Sequence, residues 1–338
     1  MSRTEAPLGL LEGASGVALA FSVASTIKSS GQVTVTRAGQ QIDLLNDRIK
    51  IVATVDGVDH PLGVFLFQVP ESSYQQVRIE GVFELQDKLS ALDASTIPGI
   101  FSLAAGSNVI AKVKELIEGA GESAVSITPS AATLRGNATW DVGTSRLRII
   151  NDLLDAANYF SLWCDGEGRY QATPYVDAQN RPLAAVLEDG KTAIYSPNFV
   201  HRKDVWKIPN RFIAVSRSGE DEPAIIGIAT NENPDSPFSY QSRGRWIDDQ
   251  EQDLEFADQA AANAYAQRRL QEVSSASSTI EIEHAFLPLQ LNDAVYFSRQ
   301  LVRESMRLAG RYVVQRMEVN LSTPAFLTKT TLREVMDV

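Results

Sequence analysis

Residues 144–176, TSRLRIINDLLDAANYFSLWCDGEGRYQATPYV, run an amphipathic helix straight into a hairpin, and this adjacency restricts the fold more than any other stretch of the chain. Leu147, Ile150, Leu153, Leu154 and Ala157 recur at helical spacing behind Thr144, a candidate N-cap. Residues 159–163 are aromatic-rich and strand-like. Asp165-Gly166-Glu167-Gly168 then tolerates the positive φ that a reversal into residues 169–172 requires. A helix packed on a hairpin is the expected local structure.

On either side the periodicity changes from helical to alternating. Val17, Leu19, Phe21 and Val23 alternate with small residues, and Glu5 and Glu12 precede them. No run there approaches the roughly 18 apolar residues of a membrane helix, so a strand is predicted rather than a signal peptide or membrane segment. Ile49, Ile51, Ala53 and Val55 continue the alternation, Asp56-Gly57 supplies a hairpin turn, and a return strand over 64–69 is expected to stop at Pro70. Val77, Ile79, Gly81 and Phe83 predict another strand. Farther along, Val109, Ile110, Val113, Leu116 and Ile117 predict a helix that Ser107 can cap and Gly119 can end, with a short strand over 124–128. Beyond residue 200 strands are expected at 211–216, 224–230, 279–285, 294–298, 312–321 and 326–335. A turn at 218–223, a long exposed loop at 231–246 and one helix through Ala262, Ala266, Leu270 and Val273 interrupt them.

The predicted fold class is therefore mainly β with α+β: two barrel-like antiparallel β domains flanking a small α+β middle domain. The expected boundaries are an N-terminal arm or strand over 1–30, a first β domain over 31–95, the middle domain over 96–200, and a second β domain with one helix over 201–338. Residues 62–83 and 312–335 share a pattern of apolar strand, Pro/Ser break and alternating strand.

The phrase INDLLDAANYFSLWCDGEGR, followed by Pro174-Tyr175 and Arg181-Pro182, resembles the baseplate hub (minor tail) proteins of long-tailed bacteriophages, especially non-contractile phages of actinobacteria. Ile208-Pro209-Asn210-Arg211 and Ser242-Arg243-Gly244-Arg245-Trp246 follow in the order expected of that family, so the resemblance spans about residues 144–250. It implies two related barrel-like domains per subunit, three subunits presenting six similar faces to a six-fold tube, and a homotrimeric ring. The implied partners are the tail tube or distal tail protein and other minor tail, fibre or spike proteins. Genome DNA would pass through without stable binding. The implied location is the virion tail tip, with assembly in the host cytoplasm.

Charge agrees with passage rather than grip: 31 basic against 42 acidic residues leave −11, the opposite of what holding phosphates requires. Cys164, the single cysteine, excludes an internal disulfide and a cysteine zinc site, and is read as a small buried hydrophobe. No nucleotide-binding, nucleophile-elbow, zinc-protease or calcium-loop motif occurs, and no cofactor or metal is expected. His60, His201 and His284 lie far apart, and Glu281-Ile282-Glu283-His284 reads as a solvated strand edge. Two candidate sites remain. Arg243, Arg245 and Trp246 are residue types favoured at interfaces. Asp248, Asp249, Glu251 and Asp253 form an acidic run that contains no Lys or Arg, read as a solvated lead into a helix or as a channel lining that repels phosphate. A tail-associated cell-wall-degrading enzyme would need a carboxylate pair across a cleft, and a receptor- or glycan-binding module would need Tyr159, Trp163, Tyr170 and Tyr175 exposed, whereas most are expected in the core.

Overall fold

The computed structural model describes residues 1–2, 5–37, 42–75, 78–191, 193–203, 206, 208–216, 223–254, 256, 258–276, 278–301, 307–321 and 326–335. The first strands are β1 (Ala14–Ser22), β2 (Ser29–Arg37), β3 (Arg48–Val55), β4 (Val58–Gln75) and β5 (Arg78–Asp87). A mixed stretch follows: α1 (Leu89–Ala94), β6 (Phe101–Leu103), α2 (Val109–Glu118), β7 (Val125–Ile127), β8 (Ala138–Trp140), α3 (Arg146–Ala156), β9 (Trp163–Cys164) and β10 (Tyr170–Ala172). Then come β11 (Leu183–Glu188), β12 (Tyr195–Lys203), β13 (Arg211–Ser216), β14 (Ile226–Thr230), α4 (Tyr240–Arg243), β15 (Asp248–Leu254) and α5 (Gln259–Ala276). The last strands are β16 (Ser278–Ala285), β17 (Ala294–Gln300), β18 (Arg307–Asn320) and β19 (Leu327–Glu334).

The expectation of two barrels is wrong. Strands from both ends of the chain join one open eleven-stranded sheet, in the order β12-β16-β19-β18-β1-β2-β5-β4-β3, with β17 beside β18 and β11 beside β17. The reason is β1, the strand predicted within residues 1–30, which is set apart in sequence from both β domains. It pairs antiparallel with β2 on one side and with β18 on the other, Leu19 lying opposite Gly31 and Val319. Each half thus offers an edge whose N–H and C=O groups need partners, and β1 satisfies both where closure into separate barrels would otherwise be required. Leu19 is 3% exposed and belongs to one apolar cluster with Val33, Phe65, Phe83 and Val319, so the two halves share a core. On the edge opposite β19, β18 holds β17 along 307–313 and β1 along 316–320.

Smaller expectations are also corrected. Pro70 does not stop β4; the strand runs on to Gln75, and the register against β5 shifts between Gln68 and Glu71, a bulge that accommodates a residue without an N–H. Ser145, not Thr144, caps α3 by accepting from Arg148 N, and Asn108, not Ser107, caps α2 by accepting from Ala111 N. β16 is no solvated edge: it lies between β12 and β19, and His284 is buried with Nε2 2.8 Å from Thr330 Oγ1. The turn expected at 218–223 lies, through residue 222, outside the described residues. Among the described residues no helix is long and apolar enough to cross a membrane.

The mixed stretch has its own core. Leu147, Ile150, Leu153 and Leu154 of α3 pack with Val113, Leu116 and Ile117 of α2, and with Tyr159, Leu162 and Tyr170 from the hairpin. Each fully buried leucine there contributes about 1.5–3 kcal/mol over exposure. Charge fastens this unit to the sheet. Arg48 of β3 meets Glu122 at 2.5 Å and Glu5 at 3.2 Å, while Lys88, fully buried, meets Glu122 at 3.2 Å and also pairs with Glu5. Lys88 Nζ donates to Gly168 O, and the Tyr170 hydroxyl donates to Lys88 O at 2.8 Å. Next to it, the Asp87 carboxylate accepts from Ser29 N, Ser29 Oγ and Leu89 N.

Candidate functional site

The acidic group lies on β15 of the small sheet β14-β13-β15, where β15 pairs parallel with β13 and α5 packs behind, and Arg243, Arg245 and Trp246 lie just before that strand, at the end of α4 and in the link that follows it. The packing is close: a Cβ on Gly227 would stand 2.2 Å from Ala262 O, so only glycine lets α5 lie on β14. The acidic run is therefore more than a solvated lead into a helix. Residues 248–254 form an edge strand held by backbone pairing, although their Asp and Gln content gives little strand propensity.

Residues 231–246 are not a simple exposed loop either. Asn231 and Ser239 are buried; Asn231 Nδ2 donates to Ser236 Oγ, and Ser239 accepts from Ser242 N to start α4. Asn210, also buried, donates to Arg245 O and accepts from Ile247 N, which fixes the chain on both sides of Trp246. Trp246 is stacked on Tyr240 with ring centroids 4.4 Å apart, and Arg211 covers it from 4.8 Å. Arg243 Nη1 donates to Ile208 O at 2.8 Å, and its guanidinium lies 5.1 Å from the Phe238 ring. Burial and the neighbouring Arg245 lower the Arg243 pKa. Arg245 is exposed and lies 5.2 Å from the ring of Trp206, which is 72% exposed. The structure thus brings Arg243, Arg245 and Trp246 into one cation-aromatic surface and adds Arg211, Tyr240 and Trp206. Sequence reading did not group these three with the site: Trp206 and Arg211 lie in other segments, and Tyr240, in the same segment, carries no local sign that it stacks on Trp246.

The four acidic residues divide by environment. Asp248 accepts two bonds from Arg211, at 2.8 and 2.7 Å. Glu251 accepts from the Tyr265 hydroxyl at 2.9 Å and lies 3.2 Å from Arg269 Nε. Burial and the facing carboxylates raise the Tyr265 pKa, so this hydroxyl keeps its proton. Asp249 and Asp253 are exposed and form no ion pair among the described residues. Two carboxylates therefore brace the sheet and two present charge to solvent.

Among the described residues no group of three or more His, Cys, Asp or Glu side chains is placed to hold a metal ion. Tyr159 and Tyr170 are buried, while Trp163 and Tyr175 are half-buried beside an internal cavity. Cys164 packs against the central cluster, where burial raises its thiol well above the usual range. A trough of about 840 Å³ also crosses the sheet where β1 joins its neighbours, with Ala18 and Ala20 flanked by Glu84, Glu283 and Glu318.

No family model matches the sequence, and no curated protein matches it. Solved structures do. A tail protein of Neisseria meningitidis superposes with a TM-score of 0.66 at 12% identity, over 95% of this chain and 92% of that one. The 43 kDa tail protein of prophage MuSo2 from Shewanella oneidensis gives 0.66 at 14% identity, over 95% and 94%. An E. coli component of the type VI secretion system, itself structurally similar to the T4 bacteriophage tail proteins gp27 and gp5, gives 0.56 at 9% identity, over 98% and 76%. At these identities the likeness is one of fold alone, shared along nearly the whole of this chain.

Proposed function

We propose that this chain is a structural, non-enzymatic component of a phage tail tip, a baseplate hub that closes into a ring on the end of the tail tube and leaves a passage for the genome. The observation that carries the reading is the superposition of 95% of the chain on whole tail proteins, end to end rather than through one shared module. The actinobacteriophage-like wording of residues 144–250 supports the finer assignment to a siphophage hub. Within the ring, Arg245, Trp206 and the Tyr240–Trp246 stack are the docking surface for a neighbouring subunit or tail protein, since desolvated Arg and Trp dominate such contacts. Asp249 and Asp253 face the passage, where unpaired carboxylates keep DNA phosphates from sticking. The same resemblance favours a homotrimer, one of the closed symmetries open to a ring. The proposed place of action is the virion, after assembly in the host cytoplasm.

The experiment is light scattering coupled to size exclusion, on the full chain alone and mixed with the tail tube or distal tail protein encoded beside it. A discrete ring-sized oligomer, alone or nucleated by the tube protein, is the expected result. A monomer that ignores both tube and neighbouring tail proteins contradicts the reading.

A further inference from the structure

Between the large sheet, the α2/α3 unit and α5 lies a cavity of about 720 Å³. Its wall carries five cations, Lys28, Arg268, Arg269, Arg316 and Arg333, against three carboxylates, Asp155, Glu251 and Glu272. That balance is the reverse of a chain with a net charge of −11. The carboxylates are already committed: Asp155 to Arg268 at 2.8 Å, Glu251 and Glu272 to Arg269 at 3.2 and 2.9 Å. Arg316 is paired with Glu318 at 2.8 Å.

Arg333 and Lys28 are left over. Arg333 is 6% exposed, yet among the described residues its guanidinium makes one long hydrogen bond, Nη1 donating to Glu272 O at 3.4 Å, and no ion pair. Lys28 Nζ donates to Val23 O and likewise has no carboxylate within ion-pair distance among the described residues. Burial lowers the pKa of both. Arg268 adds a buried Nε without a hydrogen-bond partner among the described residues. A guanidinium carries five N–H donors, and Arg333 uses one, weakly; the carboxylate that acts on it, Glu272, is already paired with Arg269, and those that act on Lys28, Asp87 and Asp155, are held by Ser29 and Arg268, so among the described residues both cations keep donors for a further anion. The rest of the wall is mixed and includes four aromatic rings, Phe160, Trp163, Tyr175 and Tyr265. Its volume falls in the range of small-molecule sites, about 300–1,000 Å³, and exceeds what an inorganic ion fills.

We propose that this cavity binds a small organic oxyanion, a carboxylate or phosphate ester with an apolar body, with Arg333 and Lys28 holding the charged group and the aromatic wall holding the body. The planar fork of Arg333 suits either oxyanion. The site is independent of the hub reading and uses none of its surface residues.

The test is isothermal titration of the full chain with phenyl phosphate, with benzoate and with inorganic phosphate, at one ionic strength set by chloride. Saturable binding of at least one organic anion, tighter than inorganic phosphate, is expected. Arg333→Met and Lys28→Met should each weaken it by about tenfold or more. Lys114→Met, which removes the same charge from an exposed helix position, should leave it unchanged. Arg333→Met replaces an unpaired buried cation with an apolar chain of similar length, and the half-buried Lys28→Met keeps the test decisive should that variant fail to fold. The proposal is overturned by the absence of saturable binding below about 10 mM. Equal affinity for inorganic phosphate, or undiminished binding by the cavity variants, overturns it as well.

Discussion

Glu122→Gln is the sharpest test of how the α2/α3 unit is held to the sheet. Glu122 has 4% of its side chain exposed and touches both Arg48, also 4% exposed, and Lys88, which is fully buried, at 2.5 and 3.2 Å. Glu5 is the other carboxylate, at 21% exposure, so the cluster holds two cations against two anions. The amide is nearly isosteric but uncharged, leaving one buried cation uncompensated. Breaking a buried pair from one side costs about 3–5 kcal/mol. With an unfolding entropy near 2.1 cal/mol/K per residue, 338 residues give roughly 0.7 kcal/mol/K, hence a fall in Tm of about 4–7 °C. Urea titration followed by tryptophan fluorescence measures the loss directly. Adding Lys88→Met restores the charge balance and should recover at least about half of it, a coupling that a double-mutant cycle isolates. A loss below about 1 kcal/mol, or simple additivity of the two changes, would refute the account of this junction.

Three further outcomes are expected. Gly31→Ala should destabilise by about 1–3 kcal/mol, because its Cβ would stand 2.3 Å from Ala18 O and push β1 off β2, whereas Gly99→Ala, with nothing within 4 Å, should be neutral; chemical denaturation compares them. Burial lifts the Asp87 carboxyl to about 6, so the folded chain holds a proton that the unfolded chain releases near pH 4, and this group's stability contribution is lost as pH rises through that window. The stability of Asp87→Asn relative to the native chain should accordingly rise by about 2.5 kcal/mol between pH 4 and 7 in urea titrations, and a pH-independent difference would count against it. Asp249→Asn with Asp253→Asn, which removes both charges and suits the positive φ of residue 253, should leave Tm within about 1 °C, since neither pairs with a cation among the described residues, yet slow genome release from assembled particles.

Local pattern made most elements legible. Helical spacing located α2 and α3, and alternation located β3, β5, β16, β18 and β19, because each periodicity reports a face turned toward a core. What alternation does not report is which strand lies beside which. β1 looks the same in sequence whether it is an arm or the seam between two sheet halves, and only its pairing with residues 300 positions away, Leu19 with Val319, decides the matter. β15 was missed for the opposite reason: its strand character comes from the backbone of β13, not from its own side chains. Polar burial was invisible too. Asn231 and Ser239 lie in a stretch that reads as loop, and are buried through local bonds within it; nothing in their own surroundings marks Asn210, Lys88 or Glu122 as buried, because their partners are distant in sequence. For the candidate site, residue type singled out Arg245 and Trp246, but Trp246 is held by Tyr240 and Arg211, and Arg245 lies over Trp206; of these three partners, Arg211 and Trp206 come from other segments.

A density map of an assembled tail tip that contains this chain tests the central claim most directly. Copies closed into a ring on the tail axis, with residues 248–254 toward the passage and the Arg245–Trp206 surface against a neighbour, are what the account predicts. A map that places the chain singly, off the axis or away from the tube end contradicts it.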